Sequence, residues 1–170
     1  TPADLATALA AGIRFAGALT ITDIAAGSKA AALTAYTTAI TGATTNTLTA
    51  ADNNWSVSPT DLTTALAAGV QFADALTVSG IADGSETAAL TAYTNTYTGA
   101  DTITLSPADY NWSVAGSALT AALADGVILA GTLTVTDISA DNEAAALTAY
   151  TPTLTGATSV TLTASDNTWS

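Results

Sequence analysis

Five aspartates recur at related places: Asp23, Asp52, Asp109, Asp137 and Asp166. Each closes a short segment that opens on leucine, as in Leu19-Thr-Ile-Thr-Asp23 and Leu48-Thr-Ala-Ala-Asp52. Gly80 breaks the row once. If these segments lie side by side as strands, the carboxylates recur ~4.8 Å apart and repel one another. One remedy is a hard cation, Ca2+, held between successive coils by the five carboxylates and nearby carbonyls. The other is local, with each Asp accepting hydrogen bonds from the N–H groups of its own turn. The gap at Gly80 and the lack of a dense Asp-x-Asp-x-Asp loop favour the local remedy.

A second series is made of hydroxyls. Thr20 and Thr22, Thr47 and Thr49, Thr77 and Ser79, Thr104 and Ser106, Thr134 and Thr136, and Thr161 and Thr163 each flank one aliphatic residue. Strand alternation turns the aliphatic residue inward and both hydroxyls outward. A stack of such strands resembles the ice-binding face of β-solenoid antifreeze proteins, which implies an ice-binding or adhesive Thr face. Ordinary β-branched filling of an exposed sheet calls for the same residues. The Leu-Thr-x-x-Asp and Thr-x-Thr alignments differ by two residues in alternate coils, so a single register cannot satisfy both. Trp55, Trp112 and Trp169 sit in turn-like Asp-Asn-Asn-Trp-Ser contexts, open to sugar stacking or to covering a core edge. The acid pairs Asp83/Glu86 and Asp141/Glu143 suit acid–base chemistry on paper, but acids at helix starts are their simpler reading.

Composition excludes much else. The chain has no Cys, His or Met, and its 14 acids against Arg14 and Lys29 leave a net charge of -12. Disulfides, thiolate or imidazole metal centres and Ser-His or Cys-His nucleophiles are therefore out of reach. Two cations make no footprint for nucleic acid or anionic lipid. The most apolar window, residues 10–26, carries Arg14 and Asp23, so membrane insertion is not expected. Enzymatic activity and a small-molecule substrate are not expected either. The missing initiator Met predicts a processed chain or a piece of a longer one. Low Lys and no Cys point to an extracellular or cell-surface protein of bacterial type.

A long sequence period must position these residues. The three Trp are 57 residues apart, as are Tyr36, Tyr93 and Tyr150, and Gly12, Gly69 and Gly126. Units 1–57 and 58–114 match at 37 of 57 positions, and 115–170 follows in phase, so the chain is three repeats of one unit. Within each unit a fainter period of 28–29 residues suggests two coils of one helix and one strand. Ser58-Pro59-Thr60-Asp61 reads as a helix start, with Ser58 as N-cap, Pro59 at the first helical position and Asp61 completing a capping box. Gly69 ends that helix, and 75–79 alternates as a strand. Ser85-Glu86 opens a second helix with Leu90, Tyr93 and Tyr97 on one stripe and Gly99 at its end, and 102–106 is the second strand. In the third unit Ala115-Gly116 replaces Ser-Pro, which predicts a helix start shifted toward Ser117. The predicted fold is α/β, a repeat solenoid of about six strand–helix coils with a parallel sheet; an all-β solenoid is the alternative because the second helix is rich in Thr.

The runs Leu-Thr-Val-Thr-Asp and Ala-Ala-Ala-Leu-Thr-Ala-Tyr resemble the Ala/Thr-rich repeats of large bacterial extracellular proteins: adhesins, S-layer proteins and RTX-type surface proteins. That resemblance implies secretion, surface attachment, and self-assembly or adhesion. The calcium-binding nonapeptides of RTX proteins are absent. With no polar capping repeat at either end, head-to-tail self-association is the partner expected. The function expected is a structural filament, S-layer, matrix or adhesin-stalk segment; a Thr-face binding module and a viral fibre or sheath protein are the alternatives.

Overall fold

A computed structural model describes residues 1–94, 98–166 and 168–169. Unit 1 comprises residues 1–77 and 98–101, and unit 2 residues 78–97 and 102–170. Unit 1 runs α1 (Pro2–Ala10), β1 (Ala18–Ile24), α2 (Lys29–Ala35), α3 (Thr38–Thr41), β2 (Thr45–Ala50), β3 (Asn54–Val57), α4 (Pro59–Ala67) and β4 (Val70–Phe72). Strand β5 (Ala75–Ile81) follows. Unit 2 then carries α5 (Glu86–Ala92), β6 (Thr102–Pro107), β7 (Asn111–Ala115), α6 (Gly116–Ala124), β8 (Val127–Leu129), β9 (Thr132–Ile138), α7 (Glu143–Ala149), α8 (Pro152–Thr155) and β10 (Ser159–Ala164). The chain is α/β with parallel sheets, so the all-β alternative falls.

Local chemistry sets the helix ends. At the start of α4 the Asp61 N–H donates to Ser58 Oγ at 3.1 Å, and Ser58 Oγ–H donates to Asp61 Oδ2 at 2.9 Å. Gly69 follows the helix with φ +77, where a side chain would be strained. Helix α6 lacks a side-chain cap at Ala115, yet it starts at Gly116 rather than shifting toward Ser117. Burial of Leu119 and Ala122 holds that first turn without the cap.

The predicted second helix is shorter than its stripe of residues suggested. α5 ends at Ala92, and Tyr93 already leaves helical geometry at φ -115, ψ 81. Tyr36 and Tyr150 do the same after α2 and α7. Tyr97, placed by spacing on the same stripe, lies outside the described residues. In the third repeat the cause is plain: Pro152 disfavours a helical residue before it, and Thr151 is extended at ψ 155. Pro152 then starts a new turn, α8, which Gly156 closes at φ +77. Gly42 closes α3 in the same way. The glycines therefore end separate short helices, not the long one.

The sheets hold more strands than predicted. In unit 1, β1, β2 and β4 form one parallel sheet in that order. In unit 2, β7, β9 and β10 form another, with β9 central. A third sheet includes the parallel neighbours β6 and β8. The short strands β3, β4, β7 and β8, of three to five residues, are too brief to show alternation in the sequence. Aliphatic residues of the long strands fill the core. Leu48, Val78, Ile103, Leu105 and Val135 are all fully buried.

Candidate functional site

The Thr pairs and the aspartates lie along the sheets, so the strand register decides what they can do together. In unit 1, Thr20 pairs with Thr47, and Leu19 lies opposite Asn46 rather than Leu48. In unit 2, Thr134 pairs with Thr161 and Leu133 with Val160. The Thr-x-Thr alignment is therefore the physical register, and the Leu-Thr-x-x-Asp alignment is not. The hydroxyls do point outward: Thr20, Thr22 and Thr161 are exposed, and Thr47, Thr49, Thr77, Thr104, Thr134, Thr136 and Thr163 are half-buried, while Ser106 is buried. Short strands interrupt the rows. Thr47 has Gln71 on its other side, Thr104 has Ile128, and Thr134 has Ser113. The second hydroxyl of the first strand is spent locally, since Thr22 Oγ1 donates to Asp23 Oδ2 at 3.1 Å and Thr136 Oγ1 to Asp137 Oδ2 at 3.3 Å.

The aspartates split into two kinds. Asp23 and Asp137 sit where the register slips, with φ +60 and +59. The equivalent Gly80 has φ +77. The gap in the row is thus a shared backbone demand: this position needs a left-handed residue, which Asp tolerates and Gly supplies freely. Asp52, Asp109 and Asp166 lie in turns after the partner strands and accept from the N–H two residues on, at Asn54 (3.3 Å), Asn111 (3.0 Å) and Thr168 (3.0 Å). The register places Ile24 opposite Ala50 and Ile138 opposite Ala164, so the two kinds are not lateral neighbours. The expected ladder of five carboxylates is two separate sets. Among the described residues no three acidic side chains gather as a metal-binding group.

Lys29 takes part in the first turn. Its Nζ donates to both Asp52 carboxylate oxygens at 2.7 Å and to the Asn54 carbonyl. The later repeats place Glu86 and Glu143 at the same position, and both are buried. The Lys29 contact holds the Asp52 carboxyl below its ordinary value of 3.8. The backbone N–H of Asn111 does the same for Asp109, and that of Thr168 for Asp166. A lowered folded pKa means the stabilisation is complete above 3.8 and is lost as pH falls through the lowered value. Melting curves recorded from about pH 6 down to about pH 2 should show the loss confined to the acid end. Asp109→Asn, which keeps an acceptor but cannot titrate, should reduce that acid slope; an unchanged slope would mean the turns do not carry it.

Spacing alone does not reveal two grooves at equivalent places, one in each unit. The first, about 480 Å³, is lined by Pro2, Asp23, Ser28, Ala32 and Tyr36 among others. The second, about 460 Å³, has Gly116, Asp137, Asn142, Ala146 and Tyr150 at the same positions. In it the Tyr150 hydroxyl donates to the Gly116 carbonyl at 2.8 Å and lies 2.7 Å from Thr120 Oγ1. A side chain at residue 116 would press on that hydroxyl, with its Cβ 3.1 Å away.

Trp55 and Trp112 are not in turns. Trp55 lies in β3 and Trp112 in β7, both fully buried. Trp55 meets Phe72 edge to face at 5.1 Å, and Trp112 Nε1–H donates to the Ala130 carbonyl at 2.9 Å. Those two side chains belong to the core. Trp169 is 44% exposed. No protein-family profile, curated protein or solved structure matches the chain.

Proposed function

We propose that the chain is a structural, self-associating repeat protein, and that its successive 57-residue units stack as a solenoid in an extracellular filament, layer or stalk. One observation carries this reading. The same parallel register, Thr20 on Thr47 and Thr134 on Thr161, recurs two repeats on, 114 residues away, with the same bulge after it. A chain that reproduces its backbone pairing from repeat to repeat, while its aspartates and hydroxyls serve turns and sheet exterior, is built for regular extension. The Thr rows belong to that exterior: Gln71 and Ile128 interrupt them, which disfavours a flat ice-binding lattice. Electron microscopy of the native, untagged protein tests the reading. Long filaments or sheets with a constant repeat are expected; discrete particles at every concentration would sink it.

A further inference from the structure

One sheet of each unit has a long strand at its edge. β1 is an edge strand of the β1-β2-β4 sheet, and β10 is an edge strand of the β10-β9-β7 sheet. Repeat position makes these edges comparable with the interior. β1 and β9 are the same strand of the repeat, 114 residues apart, and β6 and β10 are the same strand, 57 apart. In unit 2 the outer side of β9 carries β7, and the outer side of β6 carries β8. Among the described residues no strand pairs with β1 or β10 in those places.

The residues that would fill them are present in the other unit: those matching the β1 neighbour in unit 2, and those matching the β10 neighbour in unit 1. Thr168 and Trp169 correspond to Asn111 and Trp112 of β7, and Ile13, Arg14 and Phe15 to Val127, Ile128 and Leu129 of β8. Trp112 is 1% exposed and Trp169 44%; Val127 is buried and Ile13 is 50% exposed. The receiving strands tell the same story. Val160 and Leu162 of β10 are half-buried, whereas Ile103 and Leu105 of β6 are fully buried. Leu19 of β1 is half-buried, whereas Leu133 of β9 is buried. At Gly131 an added Cβ would collide with the carbonyl of Tyr110, the residue before β7, while the equivalent Gly17 faces open space. The helices agree: Leu90 of α5 is buried where α6 packs beside it, and the equivalent Leu147 of α7 is 62% exposed.

We infer that β1 and β10 are the two halves of one junction and that a second copy of this chain joins them head to tail. The Trp169 segment of one copy lies on β1 of the next, and the Ile13–Phe15 segment of the next lies on β10 of the first. Helix α1 of the second copy covers Leu147. Segments of equivalent sequence already sit on equivalent strands in unit 2, which identifies the occupant. Such a contact is heterologous, so each copy that joins leaves a free face for the next. It also covers two edges that would otherwise pair without specificity. This inference rests on the self-associating reading above and names its contact.

Sedimentation velocity across a concentration series tests it on the 170-residue chain. A head variant, Ile13→Asp, and a tail variant, Trp169→Ala, each change one exposed side chain, and circular dichroism melts should match the parent. The parent should form a concentration-dependent ladder of oligomers. Either variant alone should weaken association roughly tenfold or more. Mixed in equal amounts, the two variants should form dimers and stop there, because each supplies one intact face. A parent that stays monomeric, as when only further repeats of one polypeptide cover these edges, overturns both the inference and the self-associating reading. A parent that assembles while the variants assemble equally well, or a mixture that grows past dimers, overturns the inference alone.

Discussion

Trp112→Ala lowers the free energy of unfolding by about 3–5 kcal/mol, while Trp169→Ala shifts it by no more than about 0.5 kcal/mol. The same residue type at the same repeat position has two fates. The Trp112 ring is enclosed and its Nε1–H is matched to the Ala130 carbonyl, so truncation leaves both a cavity and an orphaned acceptor. Trp169 is half open to water. Urea unfolding followed by far-ultraviolet circular dichroism reads both values without depending on indole fluorescence. The comparison should be made at concentrations where the protein is monomeric. Equal effects of the two substitutions would mean that Trp169 is enclosed within a single chain after all.

Gly131→Ala is expected to cost more than about 3 kcal/mol, and Gly17→Ala about 1–2 kcal/mol. Both glycines have left-handed backbones, at φ +104 and +94, so both substitutions strain the chain. Only at Gly131 is the space filled. The Tyr110 carbonyl stands in the way of the added Cβ and is itself the acceptor of the Thr132 N–H at 2.8 Å. A methyl group there must push β7 away from β9, break that bond and loosen Trp112. Thermal melts of the two variants give the comparison directly; a Gly131→Ala protein as stable as Gly17→Ala would mean that the β7–β9 contact is loose.

Those two expectations depend on residues whose roles were unequally visible in the sequence. The α4 cap was legible because Ser58, Pro59 and Asp61 act within one turn, and local chemistry is written in consecutive letters. The inward aliphatic and outward hydroxyl faces of β1, β2, β9 and β10 were legible from alternation. The register was not, because two alignments were equally good locally and only the neighbouring strand chose between them. Gly80 looked like a defect in an acidic row because backbone φ is not a letter; once φ is known, Asp23, Gly80 and Asp137 are one class. The burial of Trp55 and Trp112 followed the core-edge reading, but their strands did not announce themselves. Val70-Gln-Phe72 and Asn54-Trp-Ser-Val57 take their conformation from the sheets they join, not from any pattern of their own.

The sharing of strands between adjoining repeats has a consequence at the level of the gene. The β1-β2-β4 sheet draws β4 from the second repeat, and the β7-β9-β10 sheet draws β7 from that same repeat. The repeat consequently has no privileged seam. Loss or duplication of 57 codons, beginning at any codon, keeps the sequence in phase and, on the stacked reading proposed above, rejoins like strand to like strand. A change of 28 codons, the fainter period, does not, for it would set the bulged strand of β1 type where the β2 type belongs. Recombination between repeats can therefore lengthen or shorten such a protein in whole steps, with no new contact to be selected at the point of exchange.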